Sequence, residues 1–381
     1  MTSDSLCSQL ANVRVILPFR PMNPRVGALV TLIPAHNEAA YITRTLNCLK
    51  VSRVRSNRVI VIADNCSDAT AELARLEGAE VFVTVNNRGR KAGALNQALD
   101  WLLPTLNDAD LILAMDAEIA VAPDFIFNAI RHFETHRARY GKAPLGAVSA
   151  NFGFTYSGVL AGRSSGVEIM QSMQAERDRR YTGRKQGRVG CMSGGGSVFR
   201  VSALRAVRQA YGQVYFHNTM TEDWMLTFAL KHQGYKLLKP QDCVISTAAV
   251  PTWKALFTQR QRWSHGYVET LSHFGWTRHT VAPKLGNGYW LLALLIWLGW
   301  VGLMSVMLIH GQAFHFQSWV LAITFLLLFA KVLTVRRLGR RAMVIASTML
   351  PELVFGWWLT SATVWGLTKH VIGINGKWGG E

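Results

Sequence analysis

The chain has 381 residues, with 41 Lys+Arg against 23 Asp+Glu and a formal net charge of +18. Half of the residues are apolar and 17% are charged, which excludes disorder, collagen and a coiled coil as descriptions of the whole. The charge is unevenly spread: Leu285 to Ala330 contains no Asp, Glu, Lys or Arg, so a membrane-type segment follows a water-facing one.

Residues 1–27 lack a basic region leading into an apolar run, and they read as an arm rather than an export or insertion signal. Ala28–Ile33, Arg58–Asp64, Ala79–Thr84 and Ala109–Asp116 are short apolar runs ending in polar residues, the pattern of buried parallel strands. Between them Ile42, Leu46 and Leu49, then Leu73 and Leu76, then Leu95, Leu99 and Leu102 recur at helical spacing. This order predicts an α/β fold with a largely parallel sheet covered by helices. Ligands then sit beyond the carboxyl ends of the strands, so the last residues of each strand carry the most weight.

The first strand runs into Pro34, Ala35, His36, Asn37 and Glu38, and the second into Asp64, Asn65 and Cys66. Asp64-Asn65 serves equally well as a turn that bonds its own backbone. After the third strand, Arg88 to Asn96 is a basic loop with two glycines feeding a helix, able to hold phosphates by charge and backbone N–H groups. Asp116-Ala117-Glu118 ends the fourth strand, and two carboxylates so spaced can both reach Mg²⁺ or Mn²⁺. Ser193 to Ser197 is glycine-rich without the spacing of a dinucleotide or P-loop fingerprint, and reads as a close backbone approach to a ligand at Gly195 and Gly196. Thr221-Glu222-Asp223 opens an amphipathic stretch, either as a helix cap or as a carboxylate base at the lip of a cleft. Gln259, Arg262 and Trp263 lie on a stretch where Trp253, Leu256, Phe257, Tyr267, Leu271 and Phe274 approximate one apolar face. An amphipathic helix in a membrane interface explains that face, and an Arg-Trp pair suits a diphosphate and a sugar ring.

The tail offers three apolar stretches, Tyr289 to about Ile309, Ser318 to about Val335 and about Ala342 to Leu367. The third contains Pro351 and Glu352, so it is expected to kink, re-enter or face protein rather than lipid. Arg336, Arg337, Arg340 and Arg341 place their loop and the N-terminal part on the cytoplasmic side by the positive-inside rule. The five cysteines are scattered and contain no Cys-x-x-Cys, which fits a reducing compartment.

In this order the motifs resemble the family 2 glycosyltransferases. The likeness is strongest to the membrane-embedded branch with cellulose, hyaluronan and poly-N-acetylglucosamine synthases and ceramide glucosyltransferases. It covers about Ala28 to Phe274 and the architecture of the tail. It implies a GT-A catalytic domain at 28–250 with a Rossmann-like, mostly parallel sheet, interfacial helices at 251–284 and a transmembrane region at 285–381. It further implies an inverting, metal-dependent hexosyltransferase at the plasma or inner membrane. The donor would be a nucleotide sugar, UDP-linked in preference, and the product a β-glycosidic bond, as in polysaccharide synthesis.

By the same likeness Ala35, His36 and Glu38 line the uridine pocket, Asp64 meets the uracil ring, and Lys91 and Asn96 belong to the donor site. Asp116 and Glu118 hold the metal, Asp223 is the general base with Glu222 beside it, and Gln259, Arg262 and Trp263 close over diphosphate and acceptor. The metal pair reads Asp-Ala-Glu where Asp-x-Asp is common.

The acceptor is a growing glycan, or else a lipid or protein receiving one sugar. Three helices are few for a polysaccharide channel unless chains associate. Nucleic-acid binding is a remote alternative suggested by Arg177, Arg179, Arg180, Arg184, Lys185 and Arg188, but no groove-reading motif accompanies them. Attraction to anionic headgroups of a bilayer explains this charge more simply.

Overall fold

The computed structural model describes residues 26–140, 143–154, 165–184, 189–217, 219–311 and 318–373. The expected arm therefore falls almost wholly outside the described residues, as do Lys185 and Arg188. The chain begins β1 (Leu29–Ala35), α1 (Ile42–Lys50), β2 (Arg58–Ala63), α2 (Thr70–Leu76), β3 (Glu80–Val83), α3 (Arg90–Leu102) and β4 (Leu111–Met115). All four predicted strands form, with their ends slightly shifted. There follow β5 (Ala120–Val121), α4 (Phe125–Tyr140), β6 (Leu145–Ser149), β7 (Asn151–Phe154), α5 (Gly166–Arg184), β8 (Gly196–Arg200), α6 (Val201–Tyr211), α7 (Glu222–His232), β9 (Lys236–Leu238) and β10 (Val244–Thr247).

The main sheet has the order β3-β2-β1-β4-β8-β6-β9, and β5, β10 and β7 form a second, smaller sheet. Alternate residues of β1 feed two cores. Leu29 and Ile33 pack with Ile42, Leu46 and Phe125 on one face, whereas Val30 and Leu32 pack with Leu95, Leu99 and Leu226 on the other. A strand buried on both faces must be apolar throughout, which is why β1 and β4 read as continuous apolar runs.

The parallel pairs β1–β2, β2–β3, β1–β4 and β6–β9 match the expected sheet, but β8 runs antiparallel to both β4 and β6. That reversal sets Gly196 opposite Met115. The glycine-rich segment and the end of β4 thus meet at one edge of the sheet. Since β1 lies between β2 and β4, the chain reverses direction across the sheet there and leaves a crevice beyond the strand ends.

The tail folds as α8 (Trp253–His273), α9 (Val281–Ile309), α10 (Ser318–Val335), α11 (Arg340–Ser347) and α12 (Met349–Val371). Helix α8 does not lie free. Trp253 meets Phe355 and Trp358, Phe257 meets Trp358, and Tyr267 meets Trp224 of α7 with ring centroids 4.5 Å apart. Its apolar residues are therefore divided between α12 and α7. Among the described residues α9 alone is long and apolar enough to cross a membrane, and α11 with α12, bent by 83°, would make a second if counted as one span.

The bend falls at Thr348, whose backbone is extended, and Pro351 sits in the first turn of α12, where a missing N–H costs nothing. Glu352 faces protein: it binds Arg177 of α5 at 2.6 Å and Lys331 of α10 at 2.9 Å. Arg179 and Arg180 pair with Glu176. Three arginines of the basic cluster are thus engaged inside the molecule. Removing the carboxylate by Glu352→Ala leaves two partly buried cations without their counter-charge, and is expected to cost about 2 kcal/mol. A thermal melt of the detergent-solubilised variant, compared with the unmodified chain, checks this.

Candidate active site

One cleft of about 790 Å³ opens at the crevice. Its walls include Ala35, His36, Glu38, Asp64, Lys91, Asp116, Glu118, Gly195, Glu222, Asp223, Gln259, Arg262 and Trp263. Residues from β1 to α8, far apart in the chain, therefore converge. Asn96 and Gly196 of the expected set do not line it. The Asn96 amide donates to Tyr215 O at 2.7 Å and its oxygen accepts from Tyr215 N at 2.9 Å, so the side chain clamps the segment before α7. Gly196 begins β8, and a Cβ there would meet Ile245 at 3.1 Å.

Asp64 is buried at the end of β2. Its Oδ1 accepts from Thr84 Oγ1 and Asn87 Nδ2, each at 2.8 Å. Both bonds fall on one oxygen, so the other is left for a ligand N–H. His36 Nδ1 lies 2.7 Å from Asp64 O, and since a carbonyl only accepts, Nδ1 carries the proton.

The Asp116–Glu118 turn is anchored from below by α1. Thr45 Oγ1 donates to Ala117 O at 2.5 Å and Arg44 Nη2 to Glu118 O at 2.8 Å. Lys91, in the first turn of α3, pairs with Asp116 at 2.5 Å and Glu222 at 3.4 Å and donates to Gly194 O at 3.0 Å. Burial works against its charge, but the two carboxylates outweigh it and hold the ammonium protonated well above the ordinary lysine range.

Glu118 forms no ion pair among the described residues, although Lys91 favours its charge. Burial, and then Asp116, push its carboxyl above the ordinary range. Glu38 is raised likewise, by burial and by Asp116 and Asp68. An excess of oxygen ligands repelling one another is a donor set suited to a hard divalent cation. A different trio, His132, Asp242 and Cys243, lies closer together, but Arg131 already holds the Asp242 carboxylate at 2.5 Å, so that trio ties α4 to the turn before β10.

Asp223, in the first turn of α7, accepts from Trp224 N at 2.8 Å. Burial and the neighbouring Glu222 raise its carboxyl from 3.8 to about 7, partly offset by Lys91. Thr221 occupies the position before the helix without forming a side-chain cap. Its hydroxyl instead abuts α8, where a Cβ on Gly266 would come within 2.3 Å of Thr221 Oγ1. That glycine lets α8 approach, which carries Gln259, Arg262 and Trp263 to the cleft. Arg262 is brought below its ordinary value by burial, although Glu222 and Asp223 favour its charge.

The glycine-rich segment approaches protein rather than leaving open space. A Cβ on Gly194 would lie 3.3 Å from the Asp223 carboxylate, and one on Gly195 3.1 Å from Phe152. Thr84, Asn87, Asp178, Lys239 and Arg260 also serve this cleft or its walls and were not singled out from sequence. Arg260 falls between Gln259 and Arg262 in the chain, but nothing near Lys239 marks it.

A crevice at the switch point, carboxylates at strand ends and a lysine joining Asp116 to Glu222 of α7 define an α/β domain of the GT-A type, the class that handles nucleotide sugars. The profile of the family described as glycosyltransferase like family 2 matches residues 24–266, and the chain belongs to that family.

Among curated relatives, a poly-beta-1,6-N-acetyl-D-glucosamine synthase of Staphylococcus aureus (strain COL) is 28% identical over 247 residues, covering 63% of this chain and 54% of the relative. A beta-monoglucosyldiacylglycerol synthase of Trichormus variabilis is 27% identical over 248 residues, covering 62% and 48%. The chain thus spans about half the length of the curated relatives it matches. In fold it is similar to a mannosyltransferase from Pyrobaculum calidifontis solved in complex with GDP-Man and Mn²⁺, with a TM-score of 0.52 and 15% identity over 97% of this chain and 93% of that one.

Proposed function

We propose that the chain is an inverting glycosyltransferase that moves a sugar from a nucleoside diphosphate to an acceptor hydroxyl. The observation that carries this is the meeting of Asp64, Lys91, Asp116 and Asp223 around one cleft. The Asp64 carboxylate oxygen that accepts no bond from the described residues suits a ring N–H, which uracil and guanine both have. Likeness to the family favours UDP. Lys91 and Arg262 bring positive charge to the departing diphosphate.

Asp116 and Glu118 would hold a divalent cation, which supplies further charge neutralisation to the diphosphate. Asp223 takes the proton of the acceptor hydroxyl as that oxygen bonds to the anomeric carbon and the bond to the diphosphate oxygen breaks. Attack from the face opposite the leaving group turns an α-linked donor into a β-linked product. We read 28–250 as the catalytic domain and α9 to α12 as the part that meets the membrane. Arg336, Arg337, Arg340 and Arg341 then stand on the cytoplasmic side.

Two kinds of acceptor are supported by the names of the relatives, a growing polysaccharide and a lipid receiving one sugar. A ladder of products on a gel supports the first and one discrete adduct the second. The donor reaction is tested by offering the detergent-solubilised chain UDP- and GDP-sugars with Mg²⁺ or Mn²⁺. Nucleoside diphosphate release is expected from a UDP-sugar and is expected to fall to background with a chelator. Release that persists after chelation overturns the metal assignment, and no binding of any donor overturns the reading as a whole.

A further inference from the structure

The cleft is larger than a donor site and has a second half with a different charge. Away from Asp64 and Asp116 its wall is made by α5, α8 and the link between β9 and β10, with Gln174, Asp178, Lys239 and Arg260 exposed to the cavity. Lys239 forms no hydrogen bond or ion pair with any described residue. Arg260 stacks on Trp263, its guanidinium carbon 4.3 Å from the ring centre, and donates to the neutral Gln174 Oε1 at 3.3 Å. Its Nε is buried without a partner among the described residues. Arg179, which also lines the cleft, differs in having a direct ion pair, to Glu176 at 2.8 Å, a carboxylate that it shares with Arg180. Asp178 is near enough to favour the charge of both cations, but it forms a direct ion pair with neither. Two cations face one acid across a pocket.

Keeping two cations in such a wall is costly unless something charged meets them. Burial depresses both, Arg260 to about 10, and the single nearby Asp178 offsets this only in part. A neutral sugar or glycerol hydroxyl offers them dipoles only. An anionic oxygen group offers Arg260 a charge-assisted bond at Nε and Lys239 a counter-charge. Lys239 and Asp223 line the same cleft, and Asp223 favours the lysine's charge, so an anion held at Lys239 shares the cleft with the carboxylate that takes the acceptor proton.

We propose that Lys239 and Arg260 form an anion subsite for the acceptor, so that the favoured acceptor carries a phosphate or carboxylate near its reacting hydroxyl. This rests on the glycosyltransferase reading and adds the chemical class of the acceptor to it. A lipid headgroup and a soluble phosphate ester share that chemistry.

The test is a binding titration of the full chain in detergent, with UDP and Mn²⁺ present, using glycerol, sn-glycerol 3-phosphate and micelles containing phosphatidic acid or diacylglycerol. The phosphorylated member of each pair is expected to bind, and its neutral counterpart to bind about tenfold or more weakly. Lys239→Met and, separately, Arg260→Gln should each weaken phosphate binding about tenfold while leaving UDP affinity as it was. Tighter binding of phosphatidic acid than of glycerol 3-phosphate assigns the subsite to a lipid, and the reverse order to a soluble ester. Equal binding of neutral and phosphorylated probes overturns the proposal, as does phosphate binding untouched by both substitutions. If UDP itself fails to bind, the donor reading falls, and the phosphate arms still report on this subsite.

Discussion

Asp223→Asn is expected to lower sugar transfer by about 10²–10⁴-fold while the affinity for UDP stays unchanged. Asparagine keeps the size and the bond from Trp224 N but cannot take a proton. The unmodified chain should show a pH dependence of its own. Burial and Glu222 hold the Asp223 carboxyl protonated up to about pH 7, so the rate should climb as pH rises through that value and level off above it.

Stability should move in the opposite sense. A carboxyl with a folded-state value above its ordinary 3.8 binds its proton more tightly in the folded chain, so stability declines from about pH 4 to about pH 7 as it ionises. Asp223→Asn removes that decline and should melt no lower than the unmodified chain at pH 8. Turnover like that of the unmodified chain in the variant, or a rate independent of pH between 5 and 8, would remove Asp223 from its role.

Lys91→Met is expected to reduce kcat/KM by about 10²–10³-fold. Lys91 is bonded to Asp116, Glu222 and Gly194 O, so its loss sets two carboxylates against each other as well as stripping charge from the diphosphate. A second readout separates this from mere damage. Lys91 is a cation that holds the Asp223 value down, so the midpoint of the pH–rate profile should move upward in the variant. An unmoved midpoint with a folded protein would mean that Lys91 does not act on the base.

Much of this site was legible in the chain because its residues follow strands. A buried parallel strand is an apolar run with a polar end, and Ala35, Ala63 and Met115 mark where the runs stop. Motif order then joined Pro34–Glu38, Asp64, Lys91, Asp116 and Asp223 into one set, and the cleft contains them. Asn96 lies outside the walls of the cleft for a physical reason. It shares a helix with Lys91 but lies five residues further along α3, and there its side chain meets the backbone of Tyr215 instead of the cleft. The tail was legible as apolar and less so as spans, because Glu352 and Lys331 look costly in sequence until Glu352 is seen to pair with both Lys331 and Arg177.

By itself the sequence determined the alternation of strands and helices, the polar strand ends where chemistry gathers, and the abrupt passage into an apolar tail. Those are properties of single segments, since periodicity and local composition record which side of an element is buried. Only the tertiary structure decided the antiparallel entry of β8 that sets Gly195 beside Asp116, the approach of α8 over Gly266, and the placing of Lys239 and Arg260 in the wall of one cleft. Each of these depends on which surfaces meet at long separation along the chain, and no local pattern encodes that choice.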